Sequence, residues 1–310
     1  MIKYQRYIIY WRLHTGRIKK FVPLPVTESE KDSGYGLSAK EMRVTEQPSR
    51  FDALEQMSTR ELLEGINAED RTVAVTVNGV IPQIEKLVDG IVERMKSGGR
   101  VFYVGSGTSG RLGVLDASEI PPTFGAQPGL FIGVISGGDQ ALRNAVEGAE
   151  DDFDGAWRDI AQFSPRPQDT LVGIAASGST PYVVGAVVAA RREGLLTACV
   201  TCNPDSTVAV QAEIPIVAVV GPEFVTGSTR MKAGTAQKMI LNMISTSVMI
   251  RMGHVHGNKM IDMKLANSKL VDRGTRMVME ETGITDYEKA EALLLENGSV
   301  RDAVNEWKRR

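Results

Sequence analysis

The chain has 310 residues, 42% of them hydrophobic and 24% charged, with a formal net charge of −2 at pH 7. That length buries one large core and leaves room for a small accessory unit. The near-neutral balance gives no argument for nucleic acid or an anionic membrane as a partner, and neither is expected; no apolar run approaches the roughly 20 residues of a membrane span.

Residues 1–41 carry Tyr4, Tyr7, Tyr10 and Trp11 among Lys3, Arg6, Arg12, Arg17, Lys19 and Lys20, then Pro23, Pro25 and a polar stretch. No apolar segment with a small-residue cleavage site follows, so this is a poor signal peptide. The segment reads as a disordered extension outside the fold, with Met42 as a fresh start. From Ser58 the pattern becomes orderly. Ser58-Thr59-Arg60-Glu61 is a capping box opening a short helix through Leu62 and Leu63. A second helix is expected from Asp70 to Lys96, its stripe formed by Val73, Val77, Val80, Ile81, Ile84, Leu87, Val88, Ile91 and Met95, with a kink at Pro82. Such a helix ahead of the first strand suits packing against a second subunit as well as its own sheet.

Strands and helices then alternate. Short apolar runs with β-branched residues predict strands at 100–104, 130–135, 170–175, 196–201 and 214–219. Helices are expected at 109–117, 139–162, 180–192 and 205–211. This rhythm specifies an α/β fold, a five-stranded parallel sheet with helices on both faces, whose ligands sit beyond the carboxyl ends of the strands. Further helices are expected at 230–252 and 265–282. Thr285-Asp286-Tyr287-Glu288 reads as a second capping box, Asn297-Gly298 as a helix stop, and Ser299 as the cap of a last short helix, giving a small C-terminal helical appendage.

The first strand empties into Gly105-Ser106-Gly107-Thr108-Ser109-Gly110 at a helix N-terminus. Glycines let the backbone approach a ligand, free N–H groups point outward, and the helix dipole favours an anion. After the third strand, Ala176-Ser177-Gly178-Ser179-Thr180-Pro181 repeats the arrangement. Two such turns on one sheet point to a phosphate monoester ringed by Ser106, Thr108, Ser109, Ser177, Ser179 and Thr180. The first turn also matches G-x-G-x-x-G, but a dinucleotide site wants an acidic residue ending the second strand about 20 residues on. Here that strand ends late, at Ser136-Gly137-Gly138-Asp139, and no ribose reader is found.

Cys199 and Cys202 form a C-x-x-C spacing within a predicted strand, which suits structural thiols in a reducing cytosol better than redox or zinc chemistry. Of the histidines, His14 lies in the basic arm, and His254 and His256 share a glycine-bounded loop without a third ligand, so no metal site is expected. Among the carboxylates, Glu119 follows the anion turn and abuts the Pro121-Pro122 corner, which would shield it from water. Glu150, beside Asp151 and Asp152, reads by itself as part of a solvated acidic run. Thr226-Gly227-Ser228-Thr229 reads as a helix entry with Arg230 and Lys232 in the first turn, where cations oppose the dipole. Arg230 and Lys238 are therefore candidate borders of the site, the alternative being plain surface charge.

The runs from Gly105 to Glu119 (GSGTSGRLGVLDASE), Gly173 to Tyr182 (GIAASGSTPY) and Thr226 to Lys238 (TGSTRMKAGTAQK) together resemble the N-acetylmuramic acid 6-phosphate etherase family, built on the sugar isomerase (SIS) domain. The resemblance spans about residues 45–310 and leaves residues 1–41 without a counterpart. It implies a flavodoxin-like three-layer α/β/α sandwich. The chain then divides into a helical segment at 42–90, a SIS sugar-phosphate domain at 91–254 and a C-terminal helical region at 255–310. It also implies a cytoplasmic homodimeric lyase without metal or organic cofactor. That enzyme would cleave the D-lactyl ether of its sugar phosphate to give N-acetylglucosamine 6-phosphate and D-lactate in peptidoglycan recycling. The glutamate ending Asp-Ala-Ser-Glu, Glu119, would be the proton donor and Glu150 a second catalytic group. A SIS aldose–ketose isomerase and a non-enzymatic sugar-phosphate regulator are the alternatives.

Overall fold

Parallel strands must be covered on both faces, and the helices of this chain divide between the two sides accordingly. The computed structural model describes residues 43–309, so the expected extension at 1–41 lies outside the described residues. Helix α1 (Thr59–Asn78) is followed by α2 (Ile81–Lys96). The Ser58–Glu61 capping box forms as expected, but the helix it opens is 20 residues long rather than short. Nor is there one kinked helix from 70 to 96. The chain breaks at Gly79–Val80, and Pro82 sits at the start of α2, where its missing N–H costs nothing.

Strand β1 (Val101–Gly105) leads into α3 (Gly107–Phe124), β2 (Phe131–Ile135), α4 (Gly155–Ala161), β3 (Thr170–Ile174) and α5 (Pro181–Arg192). Then come β4 (Leu196–Thr201), α6 (Thr207–Gln211), β5 (Ile214–Val217) and α7 (Lys232–Arg251). All five strands pair in parallel in the order β2-β1-β3-β4-β5, so the expected α/β/α sandwich is present. Strand direction of travel reverses between β1 and β3, the switch point at which such sheets open a crevice. Alternation along β1 sends Val101 and Tyr103 into a core with α1, α2, α3 and α7, and Phe102 and Val104 into a core with α4, α5 and α6.

Two helix expectations fail. The stretch 139–162 is not one helix but two short 3₁₀ turns, Gly138–Leu142 and Ala149–Asp151, ahead of the seven-residue α4. Gly137, Gly138 and Gly148 adopt φ of +81°, +65° and +72°, a backbone that interrupts a helix. Conversely α3 does not stop near residue 117 but carries Pro121 and Pro122 inside its last turn. Having no N–H, they leave the carbonyls of Ala117 and Ser118 without their usual helical donors, and left-handed Gly125 closes the helix by donating to Pro121 O.

Beyond α7 a two-stranded hairpin, β6 (Val255–His256) and β7 (Lys259–Met260), precedes α8 (Ser268–Thr282), α9 (Tyr287–Asn297) and α10 (Val300–Arg309). These helices enclose their own small core around Met277, Val278, Leu293 and Leu294. The cap of α9 is Asp286, which accepts from Lys289 N at 3.2 Å, rather than Thr285. Gly298 ends α9 as expected, and Ser299 caps α10 by accepting from Asp302 N.

Candidate functional site

Strands β1 and β3 are neighbours with Gly105 opposite Ile174, so both hydroxyl turns leave the same edge of the sheet side by side. Helix α3 starts on one face and α5 on the other, and their N-termini flank the crevice between the turns. The first turn is tight because glycine permits it. A Cβ on Gly105 would lie 2.6 Å from Gly110 N, and one on Gly110 would lie 2.7 Å from Gly105 O. The turn therefore folds back onto the strand end.

Ser106, the residue preceding α3, has a buried hydroxyl with no hydrogen-bond partner among the described residues. Thr108 is half-buried beside Gly234 of α7, its methyl group 3.5 Å from where a Cβ there would be. Ser109 differs from both. It is buried and donates its hydroxyl proton to Gln237 Oε1 at 2.8 Å, so that proton faces α7 rather than the crevice. In the second turn Ser177, Ser179 and Thr180 are half-buried, and Ser177 Oγ accepts from Ser179 Oγ at 3.3 Å. Behind it stands Ser206, whose buried hydroxyl also lacks a partner among the described residues and would lie 2.2 Å from a Cβ on Gly178.

The glutamates occupy different clefts. Glu150 lines a cavity of about 200 Å³ with Gly107, Arg111 and Ser136, directly alongside the first turn. Arg111 is held there by donating Nε to Leu142 O at 3.1 Å. Glu119 lines a second cavity of about 250 Å³ between α3 and α7, with Leu115, Asp116, Lys238 and Asn242. The Pro121-Pro122 corner does not shield it. Ile120 turns into the core while Glu119 stays exposed on the outer face of α3.

Beneath Glu119 runs a polar seam. Buried Asp116 accepts at Oδ1 from Asn242 Nδ2 at 2.8 Å and from Ser245 Oγ at 3.2 Å, and Lys238 Nζ donates to Asn242 Oδ1. Burial holds the Asp116 carboxyl above its usual range, although these donors and nearby Lys238 pull the other way. Tyr103 lies beside it, near enough for its hydroxyl to act on the Asp116 carboxyl, although among the described residues neither that hydroxyl nor Asp116 Oδ2 has a partner in good hydrogen-bond geometry. Burial first, and the Asp116 charge second, hold the Tyr103 phenol well above 10.

The cation expected to oppose the α7 dipole is neutralised from within. Lys232 is 1% exposed and its ammonium donates to buried Glu69 of α1, which also accepts from Arg50 Nη1 at 3.3 Å. Glu223 caps the same end, accepting from Lys232 N at 2.8 Å and Ala233 N at 2.9 Å. Burial pushes the Glu223 carboxyl up despite these bonds. Arg230 lies before the helix and is exposed. The start of α7 does border the first turn, through Gly234 at Thr108 and Gln237 at Ser109.

Sequence reasoning passed over Gln237, Asp116, Arg111 and Ser206. Gln237 carried one signal, a polar residue on the buried stripe of Ala233, Ala236 and Ile240. Cys199 and Cys202 are free and point into opposite cores, as a three-residue spacing in a strand requires, and burial pushes both thiols up to about 12. His254 Nδ1 lies 3.0 Å from Asp262 Oδ2, and no cluster of three potential metal ligands occurs among the described residues. No described helix is long and apolar enough to cross a membrane.

Residues 83–191 match the family described as glucokinase regulatory protein N-terminal SIS domain. The chain is 61% identical over 267 residues to an N-acetylmuramic acid 6-phosphate etherase of Bacteroides fragilis, covering 86% of this chain and 95% of that protein. It is 59% identical over 268 residues to one from Porphyromonas gingivalis, covering 86% and 97%. It is also 53% identical over 250 residues to one from Salmonella typhi, covering 81% and 84%. Among solved structures, a phosphoheptose isomerase from Francisella tularensis superposes with a TM-score of 0.48 at 16% identity, covering 62% of this chain and 98% of the other.

Proposed function

The chain belongs to the N-acetylmuramic acid 6-phosphate etherase family, and we propose that it is a carbon–oxygen lyase that releases D-lactate from that sugar phosphate. The observation that carries this reading is the pairing of the two hydroxyl turns at the β1/β3 switch point, with Glu150 in the adjoining cleft. Partnerless hydroxyls at Ser106 and Ser206 and the N-terminus of α3 suit a phosphate monoester with three acceptor oxygens. Ser106, Thr108, Ser177, Ser179 and Thr180 would hold the 6-phosphate, with Ser109 supplying its backbone N–H from the first turn of α3.

An ether is a poor leaving group, and the site answers this by an indirect route. Ring opening places an aldehyde at C1, which acidifies the C2 proton. A carboxylate takes that proton, the C3–O bond breaks, and the departing lactyl oxygen receives a proton from an acid. Water then adds its hydroxyl to C3 and a proton returns to C2, so the balance is one water consumed and one lactate released. Glu119 is the acid and Glu150 the base; one must be protonated while the other is ionised. The phosphate supplies remote binding energy that holds C2 and C3 in place. Arg230 and Lys238 border the site. The working protein is a homodimer of the cytoplasm, where a chain with two free buried thiols stays reduced. Residues 91–254 form its SIS domain, 42–90 the helical segment before it, and 255–310 a C-terminal helical region. Purified protein incubated with N-acetylmuramic acid 6-phosphate should release D-lactate in step with N-acetylglucosamine 6-phosphate. A ketose phosphate product would instead point to an isomerase, and tight binding without turnover to a sensor.

A further inference from the structure

We infer that Thr45 and Asn203 are positioning residues for phosphate binding: as a pair they fix the direction in which the second hydroxyl turn leaves β3. This rests on the role proposed above for Ser177, Ser179 and Thr180. Asn203 follows β4 and is 2% exposed, while Thr45, in a 3₁₀ turn at Val44–Glu46 ahead of α1, is fully buried. They lie 158 residues apart in the chain, yet each end of the Asn203 amide is matched by Thr45. Thr45 N donates to Asn203 Oδ1 at 3.3 Å, and Asn203 Nδ2 donates to Thr45 Oγ1 at 3.0 Å.

The other proton of that amide carries the effect to the site. Asn203 Nδ2 also donates to Ala176 O at 3.0 Å, and Ala176 immediately precedes Ser177. Cys202 N donates to the same oxygen at 3.0 Å and Thr201 Oγ1 at 3.2 Å. A carbonyl oxygen has two lone pairs, so three converging donors exceed what its burial requires. What they add is direction. This carbonyl shares a planar peptide unit with Ser177 N, so holding it from three sides sets the course of the turn that follows.

The rest of the turn lies on the same support. Val208 N donates to Gly178 O at 2.9 Å, and a Cβ on Gly178 would lie 2.7 Å from Thr201 Oγ1. The stretch 201–208 is thus a platform under the turn, and Thr45 closes over its Asn203. Past Thr45 the same segment is tied to the chain leading into α7. Ser49 Oγ donates to Phe224 O at 2.8 Å, Ser49 N donates to Thr226 Oγ1 at 2.9 Å, and the Phe51 and Phe224 ring centroids are 4.7 Å apart. These ties keep Thr45 in place over the platform. Hydrogen bonds weaken steeply with angle, so a turn leaving β3 in another direction loses several phosphate contacts at once.

Asn203→Ala removes the donor to Ala176 O, and Thr45→Val removes only the hydroxyl that holds that donor. In Asn203→Ala the KM for N-acetylmuramic acid 6-phosphate should rise about ten-fold with kcat within about two-fold, and inhibition by inorganic phosphate should weaken by the same factor as KM. Thr45→Val should move both in the same direction, and Thr45→Ser, which keeps the hydroxyl, should restore them. Thermal melting of each variant reads the structural cost separately. A lowered melting temperature with unchanged KM and unchanged phosphate inhibition would overturn the positioning role and leave the pair a plain tie between segments. If Asn203→Ala does not fold, the comparison of Thr45→Val with Thr45→Ser decides on the same criteria. Ser179→Ala, assayed alongside, separates this role from the reading beneath it. Phosphate inhibition weakened by Ser179→Ala but by neither variant of the pair removes Thr45 and Asn203 alone. Phosphate inhibition untouched by Ser179→Ala and by the pair removes the second turn from the phosphate site, and the positioning role with it.

Discussion

The hydroxyl of Ser109 donates to Gln237 across 2.8 Å of buried space between α3 and α7. A hydroxyl has one proton to give, and here it ties the first turn of α3 to α7. Ser109→Ala should therefore act mainly on stability. It leaves Gln237 Oε1 buried without a donor, a cost of about 1–3 kcal/mol. Thermal melting should fall by several degrees with KM changed less than about two-fold. An unaltered melting temperature with a raised KM would return Ser109 to the phosphate cradle.

Ser179 should behave in the opposite way. Among the described residues its hydroxyl is engaged only with Ser177, within the turn itself. A hydrogen bond to a charged acceptor is worth roughly 1.5–3 kcal/mol, so Ser179→Ala should weaken binding of the phosphorylated sugar about ten-fold or more while the melting temperature holds. Equal KM and kcat in the variant would take Ser179 out of the site.

The buried pair of Lys232 and Glu69 joins α7 to α1. Removing one partner strands the other charge, so Glu69→Met should cost about 3–5 kcal/mol. The double variant Glu69→Met with Lys232→Met should recover much of this, since neither charge is then buried. A double variant no more stable than Glu69→Met would show that the pair does more than neutralise itself.

Asp116 should leave a mark on the pH dependence of stability. Burial raises its folded pKa above the usual 3.8. Between those two values the folded protein keeps a proton that the unfolded chain releases, so this group makes stability fall as pH rises from about 4. Asp116→Asn should flatten that part of the profile, leaving the same-signed contribution of Glu223. Denaturant melts across pH 4 to 8 read it directly, and an unchanged slope would rule Asp116 out as its source.

The division of labour between the glutamates can be separated by isotope exchange. Deprotonation at C2 is visible as deuterium uptake from labelled water even when the ether stays intact. Glu119→Gln should lose D-lactate release yet retain some exchange, whereas Glu150→Gln should lose both. The reverse pattern would exchange their roles.

Much of this architecture was legible in the residues. The five strands fall within one or two positions of expectation, because a buried parallel strand is written locally as an apolar β-branched run. Both hydroxyl turns sit at strand ends as read, since Gly, Ser and Thr between a strand and a helix carry their own backbone chemistry. The family was also readable, from three motifs in order. Local pattern did less well where local signals conflict. Pro121-Pro122 reads as a break but is absorbed by the last turn of α3, and 139–162 reads as a helix but is divided by left-handed glycines.

What the sequence could not determine is which polar groups meet. Ser109 looks identical to Ser106 in a string of hydroxyls, yet one is committed to Gln237, 128 residues away, and the other has no partner among the described residues. Lys232 reads as a cation at a helix start until Glu69 is found beneath it. Glu119 and Glu150 read as members of one candidate site, but the structure puts them in separate clefts, Glu119 between α3 and α7 and Glu150 beside the first turn. Strand, helix and turn follow from interactions a few residues apart, which the chain states directly. The partner of a buried hydroxyl, the neutraliser of a buried charge and the cleft that a carboxylate lines depend on packing between distant segments, and the tertiary structure alone decided them.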